Sequence, residues 1–213
     1  MNYLFCSLSD RPILSEPMFS SLKKYCDKWK HKCVLENEVL DSARGRAPAW
    51  SKIKLLMREM KKNPTIPYIV WVDDDILFTN HKTDFSQLIK DYPFHYVLVS
   101  EDVVWSPFNT GIIVCKNNDM TYNYLQEIWD LCEEYPDKKH SGLWEQDIMV
   151  IHDRMYPNYI TKIPHNIIQS FHRDHTLKPE KKWKAGDFSA HFTGMELEKR
   201  IKYRDEVLKS IIY

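Results

Sequence analysis

The sequence predicts an α/β domain with a mostly parallel central sheet flanked by helices. Short β-branched and aromatic runs alternate with longer segments of helical period through the first half of the chain. One of those runs, Ile69-Val70-Trp71-Val72, ends in three consecutive carboxylates, Asp73-Asp74-Asp75. The length, 213 residues, suits one domain with a substantial core.

Residues 3–7 read as the first strand. Ser15-Glu16-Pro17 then predicts a helix start, with a serine cap and proline in the first turn. Met18, Leu22, Tyr25 and Trp29 follow at spacings of four, three and four, which is one helical face. Residues 33–36 suggest a second strand, Arg44-Gly45-Arg46 a loop, and Pro48 the start of a helix turning Trp50, Ile53, Leu56 and Met60 inward. The acidic strand spans 68–75, and 95–100 and 111–116 read as further strands. Asn117 or Asn118 caps a helix carried by Tyr122, Leu125, Trp129 and Cys132, and a loop over 136–142 leads to a helix at about 144–155. Short strands at 160–163, 167–171 and 189–192 precede a last amphipathic helix over 195–212. Strand, helix, strand, helix, strand predicts parallel pairing, and such sheets bind ligands outside the carboxyl ends of their strands.

Lys plus Arg equals Asp plus Glu at 30 each, so no basic field exists to attract nucleic acid or an anionic membrane. The five cysteines (Cys6, Cys26, Cys33, Cys115, Cys132) show no CxxC spacing and read as free thiols in a reducing compartment. The N-terminus has no signal-peptide pattern and no window approaches about 18 apolar residues, so no membrane span is expected and the default location is cytoplasmic. Neither GxGxxG nor GxxxxGK occurs among only five glycines, against dinucleotide and Walker-type phosphate loops. The chain reads as one domain over 1–213, either a whole protein or the N-terminal module of a longer one.

Adjacent carboxylates repel and resist joint ionisation. On a strand Asp73 and Asp75 share one face while Asp74 points to the other, and a divalent cation would stabilise the pair. The bland alternative is a solvated acidic turn. His191, in the short apolar run Ala190-His191-Phe192-Thr193-Gly194, would complete an O,O,N site that suits Mn²⁺ better than Ca²⁺. Without the acids, a strand histidine is more often structural.

Val72-Asp73-Asp74-Asp75 resembles the DxD motif of nucleotide-sugar-dependent glycosyltransferases with the GT-A fold. With Trp50-Ser51-Lys52, Asn109-Thr110-Gly111, Trp144-Glu145-Gln146-Asp147 and His191-Phe192-Thr193-Gly194 in that order, nearly the whole chain is similar to the family of galactomannan galactosyltransferases, xyloglucan xylosyltransferases and fungal α-mannosyltransferases. It also resembles the N-terminal domain of a large multi-domain glycosyltransferase of chlorella viruses, which would place it in a host cytoplasm.

The resemblance implies a Mn²⁺-dependent retaining transferase, with Mg²⁺ as a substitute. It would move a hexose or deoxyhexose of glucose, galactose, xylose or rhamnose type from a UDP-sugar to an oligosaccharide or glycoprotein glycan. Asp73, Asp75 and His191 would hold the metal, and Asp74 would be structural or bond the ribose. Lys52 would face the diphosphate, with Arg44 or Arg46 as a second cation, although a solvated helix lysine is an equal reading. Trp50 would line the donor cavity, although a core tryptophan is the commoner case. The loop Ser7-Leu8-Ser9-Asp10 would hold the nucleobase through Ser7 and Ser9, and Asn109 and Gly111 would face the donor sugar. Glu145 would contact the donor, while Gln146 and Asp147 would lie beside the anomeric carbon; acids are favoured at a helix start in any case. Gln146 would stabilise an oxocarbenium-like species through its carbonyl, Asp147 is the alternative nucleophile, and same-face substitution is the favoured course.

Two other classes compete. Haloacid-dehalogenase-type phosphohydrolases also place DxD at a strand end, but with a small hydroxyl two residues past the second acid, where this chain has Leu77. A glycan-binding module would use the 13% aromatic content yet leaves the acid cluster unexplained.

Overall fold

The computed structural model describes residues 2–103, 106–172 and 182–213. Its first half runs β1 (Tyr3–Leu8), α1 (Pro12–Trp29), β2 (Lys32–Glu36), α2 (Ser51–Lys62), β3 (Tyr68–Val72), β4 (Ile76–Phe78), α3 (Phe85–Ile89) and β5 (Val97–Ser100). There follow β6 (Asn109–Lys116), α4 (Asp119–Leu131), α5 (Glu145–Met155), β7 (Ile160–Ile163), α6 (His165–Ile168), β8 (Ser170–Phe171), β9 (Ser189–His191) and α7 (Leu197–Leu208).

Six strands form the main sheet in the order β2-β1-β3-β6-β5-β7, and β4, β9 and β8 form a smaller one. β1 is parallel to β2 and β3, and β5 to β7, while β6 runs antiparallel between β3 and β5. Strand periodicity explains why both faces are covered. Leu4, Cys6, Ile69, Trp71, Ile113 and Cys115 pack with Ile53, Leu56, Leu125 and Ile148 from α2, α4 and α5. Their alternating neighbours Tyr3, Phe5, Val70, Val72, Ile112 and Val114 pack with Leu22 and Tyr25 of α1 and Phe85 of α3. A third cluster, Leu14, Met18, Leu77, Ala190, Phe192 and Val207, ties the small sheet to α1 and α7.

Several elements differ from the expectation. α1 begins at Pro12, so Ser15 is its buried fourth residue and donates its hydroxyl to the Arg11 carbonyl at 3.1 Å. Pro17 therefore lies inside the helix, where it has no N–H for the carbonyl of Ile13. That carbonyl instead accepts from Arg204 Nη1 of α7 at 2.6 Å, so the C-terminal helix supplies the missing donor. β3 stops at Val72, and the three acids form a turn closed by the Ile76 N–H on the Asp73 carbonyl at 3.1 Å. β4 and α3, at three and five residues, are too short to show a period, although the Asp84 cap of α3 is a readable signal. Within 167–171 the helix α6, following Pro164, takes the first part and leaves a two-residue strand.

All five cysteines are free. Among the described residues no helix is long and apolar enough to cross a membrane.

Candidate active site

A cavity of about 480 Å³ opens at the carboxyl ends of β1 and β3, within the usual size range of small-molecule sites. Leu8, Ser9 and Arg11 line it from the end of β1, Lys52 from α2, and Trp71 and the three acids from β3 and its turn. Asp10, Ala47, Pro48, Ala49, Asn109, Thr110, the segment Leu143, Trp144, Glu145 and Gln146, and then His191, Thr193 and Arg200 complete the wall.

The small sheet brings the histidine to the acids. β4 pairs antiparallel with β9 in a register that puts Ile76 opposite His191, and the Phe192 N–H donates to the Asp75 carbonyl at 3.0 Å. Asp73, Asp75 and His191 each offer one ligand atom, and these atoms lie within 4.8 Å of one another. His191 Nε2 lies 3.1 Å from Asp75 Oδ1 without hydrogen-bond alignment, and neither buried ring nitrogen has a hydrogen-bond partner among the described residues. Two carboxylates and an imidazole whose nitrogens make no hydrogen bond among the described residues fit a divalent cation of the Mn²⁺ or Mg²⁺ kind. The other oxygen of Asp75 accepts from Arg200 Nη1 at 2.7 Å. Burial pushes the Asp75 carboxyl up, but His191 and Arg200 outweigh it and hold it well below the usual carboxylate range.

Gly111 makes this packing feasible. A Cβ there would meet His191 Cε1 at 2.5 Å, Gln169 Oε1 at 2.7 Å and Asn109 Oδ1 at 2.9 Å. Asn109 Oδ1 in turn accepts from the Gly111 N–H and from Gln169 Nε2, each at 2.8 Å.

Asp74 is committed elsewhere. Arg11 grips it with Nη2 at 2.5 Å and Nε at 3.1 Å, and the Ser9 hydroxyl donates to it at 2.5 Å. This is a structural clamp between the ends of β1 and β3.

Lys52 is a buried strut. Its Nζ lies 2.6 Å from Glu145 Oε1 and 3.0 Å from Asp73 Oδ1, and donates to the Thr110 carbonyl at 3.2 Å. Burial disfavours its charge, yet Asp73 and Glu145 outweigh that and raise its pKa. Asp73 also accepts from the Trp71 indole at 2.6 Å, which fixes the carboxylate. Gln146 Oε1 accepts from the Thr110 N–H at 3.0 Å, so its carbonyl is occupied. Among the described residues its buried Nε2 has no hydrogen-bond partner, and neither has Glu145 Oε2. Gln146 lines the cavity, and the amide group it has left over is a donor, where the sequence suggests a carbonyl.

The remaining candidates lie outside the lining. Ser7 is buried within β1. Arg44 is on the surface with Asp41 at 2.8 Å. Arg46 stacks on Trp129, its guanidinium carbon 3.6 Å from the ring centroid, and pairs with Glu133. Trp50 is a core residue whose indole donates to the Lys138 carbonyl at 3.0 Å. Asp147 pairs with Lys138 at 3.1 Å and accepts from the Leu143 N–H at 3.1 Å, holding the loop before α5. Conversely, Arg11, Thr110 and Arg200 are absent from the sequence-based set. Thr110 sits inside the Asn109-Thr110-Gly111 motif and could have been picked out; Arg200 lies 125 residues from Asp75 and carries no local signal.

The mixed sheet, its acidic turn and the histidine from the second sheet define the class: this is a GT-A-type glycosyltransferase fold. A model of the galactosyl transferase GMA12/MNN10 family matches residues 9–101. The chain is 23% identical over 118 residues to galactomannan galactosyltransferase 1 of Cyamopsis tetragonoloba, covering 52% of this chain and 26% of that protein. It is 20% identical over 205 residues to the probable alpha-1,2-galactosyltransferase gmh1 of Schizosaccharomyces pombe, covering 76% of this chain and 59% of that protein. The chain therefore spans about a quarter of the length of the first relative and less than two thirds of the second. Among solved structures, a glycosyltransferase involved in glycosylation of the major capsid of PBCV-1 superposes with a TM-score of 0.75 at 14% identity, covering 95% of this chain and 98% of that one. The galactosyltransferase LgtC, in complex with donor and acceptor sugar analogs, gives a TM-score of 0.57 at 11% identity over 100% of this chain and 97% of that one. At such identities the structural likeness establishes the fold.

Proposed function

We propose that the chain transfers a hexosyl or deoxyhexosyl group from a UDP-sugar to a glycan acceptor, with a divalent cation and with retention of anomeric configuration. The observation that carries this reading is the Asp73, Asp75 and His191 triad on the wall of the cavity. When bound, a Mn²⁺ or Mg²⁺ ion held by these three residues would supply positive charge to offset that of the leaving diphosphate.

The chain's own groups do the rest. Lys52 holds Asp73 in place through the contact at 3.0 Å, and Arg200 holds Asp75. Ser9 and the Arg11–Asp74 clamp shape the floor beneath the nucleotide. Gln146 directs Nε2 to an oxygen of the donor sugar. The commitment of Asp147 to Lys138 and Leu143 supports same-face substitution, in which the departing phosphate takes the acceptor's proton.

The test is a calorimetric titration of UDP and of GDP into the protein with Mn²⁺, repeated with chelator. UDP binding that exceeds GDP binding and disappears with chelator is the expected result. Absence of nucleotide binding in Mn²⁺ would overturn the proposal. Transfer from UDP-glucose, UDP-galactose, UDP-xylose and UDP-rhamnose, with the product's anomeric configuration read by NMR, then identifies the sugar and checks retention.

A further inference from the structure

We propose that Trp144 is the platform on which a pyranose ring of the acceptor glycan stacks, a role that rests on the transferase reading of the cavity. Two non-glycine residues among those described have positive φ, Lys30 and Trp144. Lys30 is an ordinary left-handed helix cap. Trp144 has φ 49° and ψ −118° at the first central position of a turn in which the Gln146 N–H donates to the Leu143 carbonyl at 3.0 Å. That position strongly prefers glycine. A bulky aromatic held there is strained, and such strain gathers at ligand-handling sites.

The indole is also the most exposed of the described tryptophans. Trp50 and Trp71 are 0% and 3% exposed, whereas Trp144 is 37% exposed at the rim of the cavity. It makes no ring contact among the described residues. No aromatic partner or ring-bound cation among the described residues therefore accounts for the strain.

The lining around it has the chemistry of a sugar. Ala47, Pro48, Ala49 and Leu143 share the cavity wall with Trp144 and carry no charge, in contrast to the acid, histidine and arginine cluster. Immediately after it, Glu145 Oε2 is buried and has no hydrogen-bond partner among the described residues. Buried polar atoms are ordinarily hydrogen-bonded, and at the wall of a cavity a ligand can supply the missing partner. A pyranose offers both parts: an apolar C–H face for the indole and a hydroxyl to donate to that carboxylate oxygen. The charged cluster suits the nucleotide diphosphate and leaves this wall for the second sugar.

Trp144→Gly removes the ring and relaxes the backbone, so its thermal midpoint should equal or exceed that of the unchanged protein. Trp144→Phe keeps an aromatic face. Each protein is loaded with UDP and Mn²⁺ and examined by saturation-transfer NMR. The probes are the methyl α- and β-glycosides of glucose, galactose, xylose and rhamnose, with lactose and cellobiose. The unchanged protein should saturate the ring C–H protons of at least one glycoside. Trp144→Gly should weaken that binding about ten-fold or more, Trp144→Phe should lose less, and UDP affinity should stay within about two-fold in both. Equal glycoside binding by Trp144→Gly, or no glycoside binding by the unchanged protein while UDP binds, overturns the platform. Failure to bind UDP would strike the transferase reading itself, so the two failures are told apart.

Discussion

Lys52 and Glu145 meet at 2.6 Å with their side chains 4% and 3% exposed, and the same ammonium reaches Asp73 at 3.0 Å. One buried cation thus joins α2, the acidic turn and the start of α5, and holds three walls of the cavity in register.

Breaking that strut leaves buried carboxylates uncompensated. Lys52→Met should destabilise the fold by about 3–5 kcal/mol in urea or guanidinium unfolding. Glu145→Gln added to it should recover part of the loss, because one orphaned charge is then removed. Equal losses in the single and double variants would show that the pair is not coupled.

The close approach at Gly111 gives a second prediction. Gly111→Ala should cost about 1–3 kcal/mol by overpacking, since its Cβ would fall 2.5 Å from His191 Cε1. The displaced imidazole should also weaken Mn²⁺ binding, measurable by calorimetry on the folded variant. Unchanged stability and metal affinity would mean that His191 has room to yield.

Asp75→Asn keeps the size of the side chain and removes its charge. Mn²⁺-dependent UDP binding should be lost while the far-UV circular dichroism spectrum is kept. His191→Ala should weaken the metal less completely, because two carboxylates remain. Normal Mn²⁺ dependence in Asp75→Asn would sink the triad as a metal site.

Gln146→Ala should lower turnover at saturating UDP-sugar by about 100-fold, the usual scale for losing one well-placed donor. UDP affinity should hardly move, since the amide is assigned to the sugar. Unchanged turnover would take Gln146 out of the reacting centre.

Acid sensitivity should come in part from His31. Burial lowers its pKa from 6.5 despite Asp84 at 3.5 Å, and the rings of Tyr3 and Phe5 pack against it. Below pH 6.5 the unfolded chain takes up a proton that the folded chain resists. The contribution is therefore whole above that pH and is lost as the pH falls through it. The thermal midpoint should drop between about pH 7.5 and 5.5, and His31→Phe should flatten that drop. His81, also lowered by burial, would supply the remaining slope.

The elements legible in the sequence were those with a long enough period. The apolar face of Met18, Leu22 and Tyr25 and the alternating residues of β1 and β3 are buried as their spacing requires. Short elements escaped, because three residues of β4 or four of α6 cannot display a period. The cap of α1 was misjudged because Pro17 resembles a first-turn proline; its tolerance inside the helix depends on Arg204, 187 positions away.

Local pattern and strand polarity suffice to read the α/β class, the three acids at the carboxyl end of the third strand, and Lys52, Glu145 and Gln146 as residues of the cavity wall. Folding decided the partners. Antiparallel pairing of β4 with β9 carries His191 to Asp75, and α7 brings Arg200 to the same carboxylate. Folding also separated Trp50, Arg44 and Asp147 from the cavity, through core burial, a surface ion pair and a loop contact. Such choices depend on contacts between residues far apart in the chain, and no local spacing encodes them.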